Sequence, residues 1–426
     1  MKLTHKYFLN LNHKQKLIID DLIFHVSKLY NIVNYDMLNN KHRSYFKNEK
    51  LFKSNWHNAY LHSHNRQQIL KKLDKDWQSF FNATKQFKKN PTKFLGKPQP
   101  PKYKNVNNRP AEVIFTKHGF SQTFNKKKNK DSDYLILSLS RDMKSKFGVK
   151  SLNLRLSKKV LKLLEALENI NQITLKKDKY NNYYLNIVFE KEIKETKNNK
   201  NIMAIDLGLD NLATLSFLKN KETFILDGKA LKSKRKYFDK EVKHYQSIRM
   251  KQTKSKHFKD TKKIKKLRKA LSDYKHNYLH QMSNKIVGLA LKNNVKTIVV
   301  GDMKNIKQHM HYNKSFVLNP IQKLKRYIEY KAKLQGINYT EIAENYTSGC
   351  SALELEPLNK DYYNKSRRIV RGLFKAKNIT INSDVNGSLN ILRKYLKQKK
   401  NKCIPRLINL AMANGYVDNP KRIRVA

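Results

Sequence analysis

Acidic residues are scarce in this chain. Against 91 Lys and Arg there are 33 Asp and Glu, so 426 residues carry a formal net charge of +58. Self-repulsion of that size disfavours a compact state unless a polyanion is close by. The basic residues run from end to end, which excludes a single localisation signal or a basic tail as their explanation. Cysteine is nearly absent as well. Cys350 and Cys403 are the whole supply, which excludes a disulfide scaffold and fits a reducing compartment. No run approaches 18 apolar residues, and MKLTHKYFLNLNHK at the start has no apolar stretch of the signal-peptide kind. No basic amphipathic segment marks a membrane surface. What remains is a chain with 39% hydrophobic residues, too many for a disordered polymer, long enough for two or three domains, and expected in the cytoplasm with nucleic acid as its partner.

Apolar spacing organises the chain. Residues 3–11 read as a strand, and Asn12 with Gln15 opens a helix whose stripe is Ile18, Leu22, Val26, Leu29 and Val33. A second helix carries Ile69, Leu70, Leu73, Trp77, Phe80 and Phe81, a stripe that reads as core rather than as a base-stacking platform. GKPQPPKYKN (96–105) has three prolines and is expected to be an extended linker presenting Lys97, Lys102, Tyr103 and Lys104. Residues 110–195 read as β, with turns at 126–133 and 176–182, and an antiparallel barrel or sheet is expected to take in the N-terminal strand. A charged helical region over 230–293 carries Ile264, Leu267, Leu271, Tyr274, Tyr278, Met282, Ile286 and Leu289 at steps of three and four. The lysine-rich stretch near 251–260 is expected to break it into a hairpin.

The chemistry centres on NIMAIDLGLDNLATLS (201–216). An apolar strand, Ile202–Ile205, delivers Asp206 at its end, and a second β run follows. Taken alone, Asp206 is an ordinary turn residue. Its company changes that. Residues 200–395 read β–β–β–α–β–α–β–α, with a carboxylate after the fourth strand, Thr297–Val300, and with Asp384 in the first turn of the last helix. A lone Asp384 is explained equally well by the helix dipole. Together the pattern has the order of a ribonuclease-H-like core, where three hard oxygen ligands can hold two Mg²⁺ ions for phosphodiester hydrolysis.

IMAIDLGLDNLATLS, VKTIVVGDMKNIK, ENYTSGCS, SRRIVRGLFKA and INSDVNGSLNILRKY resemble the TnpB-type proteins of bacterial insertion sequences, relatives of type V CRISPR effectors. YNIVNYDM (30–37) and GKPQPPKYK (96–104) are similar to the N-terminal half of that family. The resemblance implies a multidomain α+β fold with an RNase H-like (RuvC) nuclease core, an N-terminal β-barrel wedge domain and an inserted helical recognition domain. It implies RNA-guided cleavage of double-stranded DNA beside a short flanking motif, with a transposon-derived guide RNA and Mg²⁺ (Mn²⁺ as a substitute), in a bacterial cytoplasm at the nucleoid. The alternatives are a nuclease-inactive RNA-guided DNA-binding repressor and a DNA strand-transferase on the same fold.

Two departures from the family pattern stand out. Most members place a glutamate directly after the fourth strand, where this chain has Gly301 followed by Asp302. A subset supplies it just before the YTS motif, which here is Glu344, with Glu341 close by. The resemblance therefore implies Asp206, Glu344 and Asp384 as catalytic and metal residues, with Asp302 as the alternative to Glu344. Second, many relatives carry a four-cysteine zinc ribbon between the YTS and DVN motifs. Cys350 is the one cysteine in that interval, too few for four-coordinate zinc, so no structural zinc is expected. Arg367, Arg368 and Arg371 in that insert are candidates for nucleic-acid contact, and Glu354 and Glu356 read as surface charges. The expected layout is a wedge-like barrel over 1–11 and 93–197, helical recognition over 12–92, and a nuclease core over 198–348 and 381–396. The insert at 349–380 and a basic tail over 397–426 complete it.

Overall fold

A computed structural model describes the chain except residues 41, 108–109, 122–133, 158–159, 161–169, 197–200, 220–221, 303–319, 371, 377–378, 400–418 and 425–426. The expected turn at 126–133, Arg371 and Cys403 therefore lie outside the described residues. The chain is a multidomain α+β protein of two compact units, residues 1–191 and 192–426. No helix among the described residues is long and apolar enough to cross a membrane.

In the first unit a four-stranded antiparallel sheet runs β1 (Lys2–Phe8), β6 (Tyr183–Glu190), β5 (Ile170–Lys177), β2 (Val113–Thr116), with β3 (Tyr134–Leu137) and β4 (Leu152–Arg155) as a separate pair. No pairing among the described strands closes the four into the expected barrel. Helices α1 (His13–Asn39), α2 (Tyr45–Leu51) and α3 (Ser63–Lys89) share one apolar core with this sheet. The capping box read at Asn12 and Gln15 is present. The proline linker has no helix or strand, as its composition dictates. It is strapped to α1, because Asn34 donates to the Pro101 carbonyl and Asn31 exchanges bonds with the backbone of Lys104. A seven-residue helix, α4 (Arg141–Phe147), interrupts the stretch read as β.

The second unit is built on a six-stranded mixed sheet in the order β11 (Asn338–Ala343), β10 (Val295–Asp302), β7 (Asn201–Asp206), β8 (Asn211–Phe217), β9 (Phe224–Asp227), β14 (Lys421–Ile423). β7, β8 and β9 are an antiparallel meander, and β10 and β11 add in parallel to β7. β12 (Leu373–Lys375) and β13 (Thr380–Asn382) form a separate hairpin. The charged helical region breaks at 254–261 into α5 (Lys229–Thr253) and α6 (Lys262–Lys292). α7 (Ile321–Leu334) follows Pro320, and α8 (Ser383–Gln398) is the last helix.

The sheet is sandwiched, and its pleat decides which residues meet on each face. Met203, Ile205, Ile298 and Val300 point to the face covered by α6 and α7, against Met282, Ile286, Leu324 and Ile328. Ala204, Val299 and Ile342 point to the other face, against Val385, Leu389 and Leu392 of α8. Successive strand residues alternate faces. Asp206 therefore shares the α8 face with Ala204, whereas Asp302 shares the α7 face with Val300. Within the segment read as a basic tail, 397–426, β14 pairs parallel with β9.

Candidate active site

Asp206 ends β7 on the α8 face, and the parallel register places Ala204 beside Val299 and Ile205 beside Val300. Continued by one residue, that register puts Gly301 next to Asp206. The space above Gly301 is filled by Glu344. A methyl group at position 301 would overlap Glu344 Oε1, and one at Gly387 of α8 would overlap Asp206 Oδ2. Glycine at both positions lets two carboxylates and a helix crowd together where any side chain would push one of them out.

Glu344 follows β11 by one residue and is held by a tight turn. Its carbonyl accepts from the Thr347 backbone at 3.2 Å and from Thr347 Oγ1 at 2.8 Å, with Tyr346 at φ +66° between them. A tyrosine in the left-handed region is costly, and α8 secures the turn from the other side. Asn390 donates to the carbonyls of Thr347 and Cys350, Asn386 donates to Cys350 and accepts from the Ala352 amide, and Arg393 reaches the carbonyls of Ser351 and Glu356. The YTS and DVN motifs are thus two halves of one hydrogen-bonded joint. Glu344 Oε1 itself is buried with no hydrogen-bond partner among the described residues.

Asp384 stands in the first turn of α8, whose N-cap Asn382 accepts from the amides of Asp384 (3.0 Å) and Val385 (3.3 Å). Its Oδ2 accepts from Asn211 Nδ2 at 2.6 Å. Burial, followed by the charges of Glu344 and Asp384, holds the Asp206 carboxyl well above its ordinary range, and Arg368 pulls it partly back. Burial pushes Glu344 up to about 7, against the opposing pull of Lys325. Two buried carboxyls that resist ionisation, one with an unpartnered oxygen, are groups whose charged forms a nearby cation would favour. The donors are hard oxygens, as Mg²⁺ requires. Among the described residues, however, no three His, Cys, Asp or Glu side chains converge as a closed metal site would.

Asp302 lies close enough for its charge to add to the rise at Glu344, but it takes the opposite face. It lies on the α7 face, where Lys325, 2% exposed, donates to Asp302 Oδ1 at 3.0 Å and to Glu341 Oε2 at 3.2 Å. Asp302 is the last residue of β10, as the strand-end reading had it, and the pleat turns it to the face opposite Gly301. Arg367 is also redirected. Its guanidinium bridges Glu354 (3.2 Å) and Glu356 (2.6 Å), and Glu356 accepts from the Ser351 amide, so neither glutamate is the surface charge expected. Lys104 pairs with Asp76 at 3.7 Å and lies over the Tyr30 ring at 4.3 Å. Lys97, Lys102, Tyr103 and Arg368 stay exposed. Asn211, Lys325 and Gly387 were not singled out from sequence; a lone amide after a turn, one lysine among dozens and a helix glycine carry no local signal.

Two family models match adjoining parts of the second unit and its approach. OrfB_IS605, described as a probable transposase, matches residues 186–307, and the Cas12f1-like TNB domain matches residues 322–391. The chain is similar to the TnpB-type proteins. It is also similar to the CRISPR-associated endodeoxyribonuclease Cas12f2 of Micrarchaeota archaeon (strain CG1_02_47_40), at 26% identity over 245 residues, 50% of this chain and 40% of that protein. Cas12f1 of Sulfoacidibacillus thermotolerans is 30% identical over 228 residues, 50% of each. The matches thus span half or less of these curated relatives. Among solved structures, a Cas12f1–sgRNA–target DNA complex superposes with a TM-score of 0.54 at 15% identity, over 89% of this chain and 83% of that one. The mini-RNA-guided endonuclease CRISPR-Cas_phi3 gives 0.51 at 11% identity, over 92% of each. At these identities the likeness is one of fold.

Proposed function

We propose that this chain is an RNA-guided DNA endonuclease of the TnpB type, with residues 192–426 as its RuvC-like nuclease unit. The observation that carries the reading is the acidic cluster. Three elements distant in sequence (β7, the turn after β11 and α8) bring Glu344 and Asp384 close enough for their charges to act on Asp206, and glycines at 301 and 387 make the room. Nothing in core packing requires buried carboxylates to approach one another, and their mutual repulsion opposes it. Relatives named as endodeoxyribonucleases point the same way.

In this reading Asp206, Glu344 and Asp384 would hold Mg²⁺, whose chemistry there would be to activate water and to offset charge at the leaving oxygen of a phosphodiester. The chain's own residues fix the carboxylates. The Thr347 turn aims Glu344, the Asn382 cap aims the Asp384 backbone, and Gly387 lets α8 close over Asp206. Arg368, whose positive charge acts on Asp206, and the exposed Lys97, Lys102 and Tyr103 are assigned to nucleic acid. Guide pairing reads the target, while the protein holds RNA and heteroduplex by charge and shape. The helical segment 12–92 and the β segment 93–191 take the recognition and wedge roles.

The test is plasmid cleavage next to a randomised flanking stretch, with the RNA of the chain's own locus. Parent protein is expected to cut in Mg²⁺ and not in chelator, and Asp206→Ala and Glu344→Ala are expected to lose at least about 100-fold while still binding target. Cutting by Glu344→Ala at the parental rate would refute the assignment of that residue. A family model described as a probable transposase favours a second reading, strand transfer; metal-dependent joining of DNA ends without RNA would establish it instead.

A further inference from the structure

We propose that Asn211 is a positioning residue for Asp384, and that Arg422 of β14 decides which end of the Asn211 amide faces that carboxylate. The inference rests on the active-site reading above. Asn211 opens β8, one turn after Asp206. Its Nδ2 donates to Asp384 Oδ2 at 2.6 Å, and its Oδ1 accepts from Arg422 Nη1 at 3.1 Å. The two contacts determine each other. A guanidinium has donors and no acceptor, so only the amide oxygen can face Arg422, and the NH₂ group is left for Asp384. A carboxylate receiving that N–H is the acceptor, with Oδ2 engaged, and in the proposed site its other oxygen would face the cation.

Asp384 is therefore held twice and independently, its backbone by the Asn382 cap and its side chain by Asn211. Arg422 is delivered by the strand register. Lys421, Arg422 and Ile423 pair with Phe224, Ile225 and Leu226, and Lys421 forms an ion pair with Glu222. A strand from the segment read as a basic tail thus reaches the acidic cluster through a single amide. Outer partners that orient metal ligands are worth roughly 10–100-fold in metal affinity or activity.

Mn²⁺ binding to the metal-stripped protein–RNA complex, measured by calorimetry, tests this alongside cleavage and melting. Asn211→Ala is expected to weaken Mn²⁺ roughly 10–100-fold and to slow cleavage, with target binding and the melting midpoint near parental. Arg422→Lys keeps a donor and should behave as parent. Arg422→Glu offers only acceptors, turns the amide over and sets its oxygen against the carboxylate, so it should reproduce Asn211→Ala and add nothing in that background. A role limited to bracing the sheet edge would not separate lysine from glutamate through Asn211. Parental Mn²⁺ affinity in Asn211→Ala, or equal behaviour of the two Arg422 variants, overturns the inference. Asp206→Ala separates the two levels: if it binds Mn²⁺ and cleaves as parent, the site reading fails, and if it loses both while Asn211→Ala loses neither, this inference fails alone.

Discussion

Gly301 is the residue on which the arrangement of the site turns. A Gly301→Ala methyl has nowhere to go except into the Glu344 carboxylate, since the backbone on both sides belongs to a central strand paired on each edge. Overpacking of this kind costs roughly 1–3 kcal/mol. Gly301→Ala should melt earlier than parent and cleave poorly, and Gly301→Ala/Glu344→Ala should recover the melting midpoint but not the cleavage. Equal melting of Gly301→Ala and parent would mean that Glu344 leaves its place at no cost. Sequence reasoning reached Asp206 because a long apolar strand ended in it, and Asp384 because a helix began with it. Sequence favours Glu344 over Asp302 on motif resemblance alone, because the face each residue takes depends on the register of β10 against β7. Both are long-range facts with no local trace. Lys325 was hidden for the same reason: α7 shows a lysine, and only packing shows that it is buried between Asp302 and Glu341.

Among the elements, those with strong periodicity were readable. β7, β10, α6 and α8 stand where their apolar spacing put them, and the break in the charged helical region fell where lysines crowd. The short elements were not. α4 turns a single side chain, Met143, fully inward, and β4 and β14 are four and three residues long, too brief for a pattern to rise above composition. The loop at the zinc-ribbon position shows what stands where cysteines are missing. Arg367 ties Glu354 to Glu356, Glu356 holds the Ser351 amide, and Arg393 of α8 anchors the same turn. Arg367→Ala leaves two partly buried glutamates without their shared guanidinium, and a loss of roughly 1–3 kcal/mol is expected. Thermal melting should show it as a lowered midpoint, whereas phenanthroline should leave the parent's midpoint where it was. A large drop with the chelator would mean that zinc, not this cross-bridge, holds the loop.

For the whole molecule, charge dominates. A surplus of 58 positive charges would make the proposed association with nucleic acid electrostatic first and specific second. Guide RNA affinity should fall by roughly 10³-fold or more between 50 and 200 mM salt, with several counterions released per complex. A near-flat salt dependence in a filter-binding titration would require recognition by shape and stacking instead. The crowding at Gly301 also has a consequence in inheritance. A side chain at 301 and a glutamate at 344 claim one volume, so the carboxylate cannot be handed from one strand to its neighbour by two tolerated steps. One order of substitution passes through a clash and the other through a site missing an acid. On the proposed site, chains on either side of that exchange would be separated by an intermediate that either clashes or lacks an acid. Once a lineage has its glutamate after β11, as this one does, the glycine at 301 is no longer free to change.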